Sequence, residues 1–440
     1  MNQNPLQIGI VGAGPSGCYV ADALGRKLPG ARIDILDRLP TPFGLVRGGV
    51  APDHQGTKNI VRQFERTLGK DGVRFLGNIE IGRDLSYDEL KAAYDLLVIT
   101  IGALEDRRLG IPGEDLDGVY GSGRFVAWYN GIPNCRALEP RLDGKSVAII
   151  GNGNVALDIA RLLAKTSDEL AASDLCAHAR ATLASATIED IWLIGRRGPS
   201  EASFTTAELA EFGELARLAT RVDPAQLPAA KTGESGDQQQ TPAEKNLELL
   251  RAYAARGEQA DRPLRLHFVF NAAPVAIRGE GRAKALVLRR TRVDQGQTKV
   301  AEESFAIAAE TVISAIGYRS TPFPGLPFDA ARGIISHVEG RVEPGVYAAG
   351  WCKRGPQGVI PANRADSLAV AEAILTDLGA RTVGGKPGGT LIDTLLAGRG
   401  ARPVDFAGWQ KINAAEIAAG HGRPREKLTT IAALLAAAGV

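Results

Sequence analysis

The stretch LQIGIVGAGPSG, residues 6–17, decides the fold of this chain. Its first six residues are a mostly apolar run typical of a short buried strand, and Gly12, Gly14 and Gly17 follow it with the G-x-G-x-x-G spacing of a dinucleotide-binding turn. The first glycine permits a tight turn, the second lets the backbone approach a pyrophosphate, and the third lets a helix pack on the strand. The phosphates then lie among the unpaired N–H groups of a helix N-terminus.

The acidic residue after the next strand indicates which dinucleotide this turn binds. A strand predicted over residues 31–36 ends in Asp37, which lies 25 residues beyond Gly12. A carboxylate there accepts hydrogen bonds from ribose hydroxyls and repels a 2′-phosphate. The sequence therefore predicts FAD or NAD in the first site, against the alternative of a purely structural glycine turn.

A second unit of the same kind begins at SVAIIGNGNVALDIARLLA, residues 146–164. Gly151 and Gly153 keep the spacing of the turn, with Ala156 in place of the third glycine. The following strand ends in Arg196 and Arg197 instead of an acid. Guanidinium groups match a phosphate in bidentate fashion, so this pair favours NADP over NAD. The alternative is a solvated pair of surface arginines.

Two turns with opposite preferences predict an α/β protein that holds two dinucleotides. We expect two Rossmann-like three-layer dinucleotide-binding domains, the second inserted in the first: residues 1–105 and 325–440 for FAD, and residues 106–324 for NADP. The isoalloxazine ring would carry the redox chemistry, with hydride transfer from NADPH.

The composition indicates which classes of partner and which cellular compartment to expect. The chain has 440 residues with 52 Lys+Arg and 50 Asp+Glu, a net charge of +2 that gives no electrostatic reason to expect nucleic acid. No run approaches the roughly 20 apolar residues of a membrane span. The cysteines are Cys18, Cys135, Cys176 and Cys352, and no two of them form a CxxC motif. This spacing argues against a redox dithiol or an iron–sulfur cluster, and we expect no metal. Free thiols and a strand that begins at Leu6, which leaves no room for a targeting peptide, predict the cytoplasm.

Two stretches are rich in residues that break regular structure. Residues 223–247 are polar, with several Pro, Gly and Gln, and are predicted to form a surface loop. Residues 381–402 are rich in glycine, and the tail from 403 to 440 is predicted to be helical.

Several longer segments resemble the adrenodoxin reductase family, the ferredoxin–NADP reductases built like glutathione reductase, and its bacterial members in particular. The resemblance rests on LPTPFGLVRGGVAPDH (39–54), IPGEDLDGV (111–119), FVAWYNG (125–131), GNGNVALDIARLL (151–163), GRRGPSEASFT (195–205) and GWCKRGPQGVI (350–360). It implies NADPH oxidation by an FAD-dependent oxidoreductase that passes single electrons to a ferredoxin-type iron–sulfur protein.

The resemblance also implies site residues. FAD contacts would come from Ser16, Asp37, Leu45 and Ile81, and from Trp351, Gly358, Val359 and Ile360 in the returning segment. NADP contacts would come from Arg107, Asn152, Gly153, Asn154, Val155, Arg196, Arg197 and Glu208. His54 and Asp158 match residues that the family uses near the flavin for positioning and proton handling. The plainer alternatives are a structural histidine at 54, a local helix contact for Asp158 and a surface acid at 208.

An acidic ferredoxin would meet basic residues near the flavin, and the candidates are Arg251, Arg256, Arg262 and Arg265. Three other functions stay open at this point. They are the NADPH-oxidising subunit of a larger complex such as glutamate synthase, a flavin monooxygenase, and a non-catalytic sensor that binds both dinucleotides.

Overall fold

The structure is a computed structural model that describes residues 5–229, 240–294, 297–379 and 384–440. It divides into two compact units. Unit 1 comprises Met1–Glu105, Asn130–Arg136 and Gly317–Val440, and unit 2 comprises Asp106–Tyr129 and Ala137–Ile316.

The strands, in chain order, are β1 (Gln7–Val11), β2 (Arg32–Leu36), β3 (Val73–Leu76), β4 (Leu96–Ile99), β5 (Glu105–Asp106), β6 (Val119–Gly121), β7 (Ser146–Ile150), β8 (Asp190–Ile194), β9 (Leu218–Val222), β10 (Leu264–Val269), β11 (Ala272–Arg278), β12 (Ala285–Asp294), β13 (Gln297–Ala308), β14 (Thr311–Ser314), β15 (Tyr318–Arg319), β16 (Phe328–Asp329), β17 (Ile334–Ile335), β18 (Arg341–Glu343) and β19 (Val346–Ala348). The helices are α1 (Pro15–Lys27), α2 (Leu45–Gly48), α3 (Gln55–Lys58), α4 (Val61–Leu68), α5 (Tyr87–Ala93), α6 (Ser122–Tyr129), α7 (Asn154–Ala164), α8 (Ala177–Ala184), α9 (Thr206–Glu211), α10 (Pro242–Ala255), α11 (Trp351–Arg354), α12 (Ile360–Gly379), α13 (Gly389–Gly398), α14 (Phe406–Ala418) and α15 (Ile431–Ala438). Short 3₁₀ turns lie at Pro133–Cys135, Pro199–Glu201 and Pro224–Gln226.

The sheet of unit 1 has the order β18-β19-β4-β1-β2-β3 and is parallel except for the β18–β19 pair. Its central strand β1 is apolar on both faces because both are covered. Ile8 and Ile10 pack in one apolar cluster with α1, α4 and α12, while Val11 packs in a second cluster with α5 and α13. The carboxyl end of β1 therefore sits between two helical layers, where the first glycine turn begins.

Unit 2 repeats this plan with a parallel sheet in the order β6-β14-β7-β8-β10-β9. A separate antiparallel sheet, β11-β12-β13, packs its apolar side chains with those of β7, β8 and β14. The second glycine turn follows β7, and Arg196 follows β8. The prediction of two Rossmann-like domains, the second inserted in the first, is confirmed.

The limits of the units differ in two places from the sequence-based boundaries. The chain returns to unit 1 at Gly317, before the expected residue 325, because Tyr318 stacks on Trp351 and the Ser320 N–H donates to the carbonyl of Gly333. Residues 130–136 also belong to unit 1, where the Asn130 amide donates to the carbonyl of Val50.

The prediction of a loop over residues 223–247 is wrong at its far end. Helix α10 begins at Pro242, and Thr241 caps it in a reciprocal pair with Glu244: the Thr241 hydroxyl accepts from the Glu244 N–H, and the Glu244 carboxylate accepts from the Thr241 N–H. Residues 230–239 lie outside the described part of the chain. Helix α13 likewise forms within the glycine-rich stretch 381–402.

Within the described ranges, no helix has the length and apolarity needed to cross a membrane.

Two candidate dinucleotide sites

The first glycine turn is fixed by contacts that only glycine allows. Gly12 has φ of +111°, and a Cβ there would lie 2.6 Å from the carbonyl oxygen of Thr100. A Cβ on Gly17 would overlap the carbonyl oxygen of Gly12. At Gly14, by contrast, the nearest heavy atom to a Cβ would be the Gly44 Cα at 3.9 Å. The protein itself does not require glycine at position 14, so the open space there suits the close approach of a phosphate.

Helix α1 starts at this turn without a side-chain cap. Gly14 is its N-cap residue, and among the described residues no side-chain hydrogen bond caps the helix. Its leading N–H groups therefore need another acceptor, which an anion supplies. Thr100 supports the turn by donating its hydroxyl to the carbonyls of Val11 (3.0 Å) and Gly12 (2.8 Å). Thr100 was not predicted from the sequence, although a polar residue directly after an apolar strand is a usable signal.

Asp37 is held against the turn. One carboxylate oxygen accepts from the Ala13 N–H at 2.8 Å and the other from the Leu39 N–H at 2.9 Å. Burial raises the pKa of Asp37, and these two backbone donors oppose that shift. A carboxylate has about four acceptor sites, so Asp37 keeps the capacity to accept from ribose hydroxyls.

The returning segment brings Ser16 and Trp351 to the same place. The Gly350 N–H donates to Asp366 at 2.6 Å, and a Cβ on Gly350 would overlap the Ser16 hydroxyl. Trp351 stacks on Tyr318 with ring centroids 6.2 Å apart. Its indole N–H is buried and has no acceptor in the described part of the chain. A buried donor without an acceptor is costly, so this atom fits a ligand that supplies one.

The other expected FAD contacts are placed less closely around the turn. Leu45 opens α2 directly after Gly44, the residue beside Gly14. Gly358 (φ +76°) and Val359 (61 % exposed) directly precede α12, which begins at Ile360 and packs along α1. Ile81 forms a β-bridge with Leu85 and packs in the α5–α13 cluster, and no described contact joins it to the turn.

The second turn repeats the geometry of the first. Gly151 has φ of +144°, and a Cβ there would overlap the carbonyl oxygen of Ala315. Gly153 is the N-cap of α7 and has no side-chain cap. Ala156 is fully buried, so a methyl group is accommodated where the first turn needs glycine.

A segment from the neighbouring loop closes over this turn. The Ser203 N–H and hydroxyl both donate to the Asn152 carbonyl at 2.9 Å. The Asn154 side-chain oxygen accepts from the Thr205 N–H at 2.8 Å. These bonds use the Asn152 carbonyl and the Asn154 side chain. The N–H groups at the start of α7, including that of half-buried Val155, have the helix N-terminal position that suits an anion.

Arg196 and Arg197 are exposed, and their backbone is fixed. The Thr291 hydroxyl donates to the carbonyl of Arg196 at 2.7 Å, and the Asn271 N–H donates to that of Arg197 at 3.1 Å. Within residues 5–229, 240–294, 297–379 and 384–440, neither guanidinium group has an ion-pair partner. Two uncompensated cations therefore follow the strand next to the turn, as a 2′-phosphate site requires. Arg107 is exposed and lies after β5 in unit 2.

The remaining expected residues are placed by local contacts. His54 is half-buried in unit 1, just before α3, and its N–H donates to the Ala51 carbonyl at 3.0 Å. Asp158 and Glu208 belong to unit 2, and both carboxylates contact the guanidinium of Arg161 at 2.8 Å. Arg161 is another residue that the analysis of the sequence missed.

The four arginines proposed to meet a ferredoxin are occupied within unit 2. Arg251 donates to the Pro228 carbonyl (3.0 Å), Arg256 lies 4.9 Å above the ring of Tyr253, Arg262 donates to the Leu218 carbonyl (2.7 Å), and Arg265 donates twice to Asp190 (2.6 Å). All four are bonded or stacked within unit 2, and Arg256 remains exposed. Their role in meeting a ferredoxin stays a prediction.

Comparison with known proteins identifies the family. Residues 6–190 match the family model described as pyridine nucleotide-disulphide oxidoreductase. The chain is 40% identical to the mitochondrial NADPH:adrenodoxin oxidoreductase of Arabidopsis thaliana, covering 99% of this chain and 96% of that protein. It is 40% identical to the NADPH-ferredoxin reductase FprA of Mycobacterium tuberculosis, covering 98% of each. The solved structure of M. tuberculosis FprA in complex with NADPH superposes with a TM-score of 0.93 at 38% identity, over 99% of this chain and 100% of that one. The chain therefore belongs to the family of the NADPH:adrenodoxin oxidoreductases and the FprA-type NADPH-ferredoxin reductases.

Proposed function

We propose that the chain is an FAD-dependent ferredoxin–NADP⁺ reductase, which takes hydride from NADPH and delivers single electrons to a ferredoxin-type iron–sulfur protein. The observation that carries the proposal is the pair of turns with opposite second-strand residues, Asp37 in unit 1 and Arg196–Arg197 in unit 2. The relatives named NADPH-ferredoxin reductase and NADPH:adrenodoxin oxidoreductase support the donor and the acceptor class.

Unit 1 would hold FAD. The uncapped start of α1 receives the pyrophosphate, Asp37 accepts from a ribose, and the Trp351 indole donates to a polar atom of the cofactor. When bound, FAD supplies the exchange between two-electron and one-electron chemistry. Leu45, Ile81 and the segment Gly358–Val359–Ile360 complete the set of contacts that we assign to it.

Unit 2 would hold NADPH. The turn at Gly151–Asn154 receives its pyrophosphate, and Arg196 and Arg197 bind the 2′-phosphate. We assign Arg107 and Glu208 to further contacts with this dinucleotide. His54 and Asp158 are our candidates for positioning and proton handling near the reacting ring.

We place the protein in the cytoplasm. Its four cysteines, all within the described ranges, form no disulfide, and Cys18, Cys176 and Cys352 are buried. Burial raises the pKa of Cys352 to about 12, which keeps this thiol protonated and unreactive. A reducing compartment suits such thiols.

Cytochrome c reduction tests the proposed function directly. The purified yellow protein is assayed with NADPH or NADH, with and without an added ferredoxin. We expect a strong ferredoxin-dependent increase with NADPH preferred. Flavin reduction by NADPH without any effect of several different ferredoxins would contradict the acceptor assignment and leave the cofactor assignments standing.

Gly14→Ala separates FAD binding from folding. Gly14 has φ of −74° and open space around a Cβ, so alanine fits the folded chain without strain. We expect the free energy of unfolding of the apoprotein to change by less than about 1 kcal/mol, while FAD affinity falls by about tenfold because the methyl group enters the phosphate space. FAD titration of the apoprotein measures the affinity, and Gly25→Ala on the same helix is the matched control. Wild-type affinity in Gly14→Ala would contradict the assignment of this turn.

Trp351→Phe tests the unpartnered indole N–H. The substitution removes a donor that has no acceptor in the described residues, so we expect the free energy of unfolding of the apoprotein to stay unchanged. The dissociation constant for FAD should rise about fivefold, as expected for one lost hydrogen bond of about 1 kcal/mol. Trp409→Phe is the control, because the Trp409 N–H also lacks an acceptor in the described residues but lies in the core of unit 1. Equal effects of both substitutions on FAD affinity would rule out a specific role for Trp351.

A further inference from the structure

Arg161 is a fully buried arginine whose guanidinium nitrogens all contact carboxylates. Nη2 lies 2.8 Å from Asp158, Nη1 lies 2.8 Å from Glu208, and Nε lies 3.2 Å from Glu211. The Arg161 side chain is 0% exposed. A buried cation is costly unless it is paired and hydrogen-bonded, so this arrangement is stable because three carboxylates share one guanidinium.

These contacts join α9 to α7, and they include the last residue of α9, Glu211. Asp158 lies on α7 with Arg161, while Glu208 and Glu211 lie one turn apart on α9. Just before α9, Ser203 and Thr205 donate hydrogen bonds to Asn152 and Asn154 of the second glycine turn. Helix α9 has six residues, too few to be stable by itself. Its position beside the second turn therefore depends on the contacts at each end, together with the burial of Leu209 and the hydrogen bond from the Tyr253 hydroxyl to the Leu209 carbonyl.

The charges of unit 2 around this turn have opposite signs at two places. Arg196 and Arg197 supply two cations after β8, whereas Arg161 with its three acids has a formal charge of −2 (one cation minus three carboxylates). Carboxylates accept hydrogen bonds and repel phosphate. In a phosphorylated nicotinamide dinucleotide, the 2′-phosphate therefore belongs at the arginine pair. The nicotinamide end, with its amide donors, belongs at the acids.

We infer that Arg161 is a positioning residue: it holds the carboxylates of Asp158 and Glu208 where they receive the nicotinamide end of NADP(H). The inference rests on the proposed function, because it takes NADP(H) as the dinucleotide of unit 2. Lysine at this position has a single ammonium group, which cannot contact three carboxylates in the planar arrangement of a guanidinium.

Arg161→Lys should weaken binding of NADP(H) but not of the fragment that carries only the adenosine and its phosphates. In calorimetric titrations of the FAD-loaded protein, we expect the dissociation constant for NADP⁺ to rise about tenfold and that for 2′,5′-ADP, which lacks nicotinamide, to stay within twofold. The KM for NADPH should rise, with kcat changed less than about twofold. Arg217→Lys is the matched control, since Arg217 donates to the Leu163 and Ala164 carbonyls at the end of α7 and contacts none of the three acids.

A double-mutant cycle shows whether Arg161 acts through Glu208. If it does, Arg161→Lys adds less than about twofold to the NADP⁺ dissociation constant of Glu208→Gln. Full additivity, or equal weakening of NADP⁺ and 2′,5′-ADP, would overturn the positioning role. Should Arg161→Lys fail to fold, Glu211→Gln loosens the same cluster, and we expect it to weaken NADP⁺ about threefold without affecting 2′,5′-ADP; no change there would also overturn the inference. A wild-type protein that binds neither ligand would instead refute the proposed NADP site.

Discussion

Replacing both Arg196 and Arg197 by alanine is expected to lower kcat/KM for NADPH by about 10²- to 10³-fold and to leave kcat/KM for NADH almost unchanged. Each substitution removes a charge-assisted hydrogen bond to the 2′-phosphate; at an exposed site we take the lower end of its usual range, about 1.5 kcal/mol, and about 1.4 kcal/mol corresponds to tenfold. Both side chains are exposed, so folding should not suffer. Steady-state kinetics with the two donors measures the ratio, and each single variant should lose about tenfold.

The control for this prediction removes the same charge elsewhere in unit 2. Arg278 and Lys284 are exposed on or beside the antiparallel sheet β11-β12-β13, away from the glycine turn in sequence and strand order. Arg278→Ala/Lys284→Ala should keep the preference for NADPH, because a general change of net charge alters encounter rates for both donors only modestly. A preference that survives in Arg196→Ala/Arg197→Ala would place the 2′-phosphate at other residues.

The parts of the fold and site that the sequence predicted are those set by local geometry. A strand, a glycine turn and a helix are contiguous, so the positive φ of Gly12 and Gly151 and the start of α1 and α7 follow from spacing. Asp37 and Arg196 were found because Asp37 directly follows β2 and Arg196 lies two residues after the end of β8, both strands of a parallel sheet. In such sheets the residues after the strands gather at one edge.

The parts that the sequence did not predict depend on contacts between distant segments. Thr100 supports a turn that lies 88 residues earlier, and no spacing rule links them. The acids around Arg161 come from two helices, α7 and α9, and their distance in space depends on the path of residues 165–205 between them. The carbonyl that accepts from Arg251 and the carboxylate that accepts from Arg265 are likewise visible only in the folded chain. The α10 error arose because overall polarity outweighed the capping signal of Thr241 and Glu244.

Glu416→Ala should destabilise unit 1 more than any other single change considered. The Glu416 side chain is 0% exposed, and both its oxygens accept from Arg47, at 2.8 and 2.5 Å, while one also accepts from the Leu428 N–H at 2.9 Å. The pair joins α14 to α2, the helix that opens with Leu45 beside the first glycine turn. Removing the carboxylate leaves the buried guanidinium of Arg47 without this counter-charge, which lowers the free energy of unfolding by about 3–5 kcal/mol.

We therefore expect Glu416→Ala to lower the denaturant midpoint of unit 1 strongly and to lose FAD during purification. Arg47→Met/Glu416→Leu should recover most of the stability, because an apolar pair replaces both charges.

Although burial raises the pKa of Glu416, attraction to Arg47 more than offsets it, so the net shift is downward from 4.5. The stability that the ionised carboxylate contributes is thus fully present above about pH 4.5 and is lost as the pH falls through the folded-state pKa. The advantage of wild type over Arg47→Met/Glu416→Leu should shrink in acid. An advantage that stays constant as the pH falls through that range would show that the ion pair does not stabilise this junction.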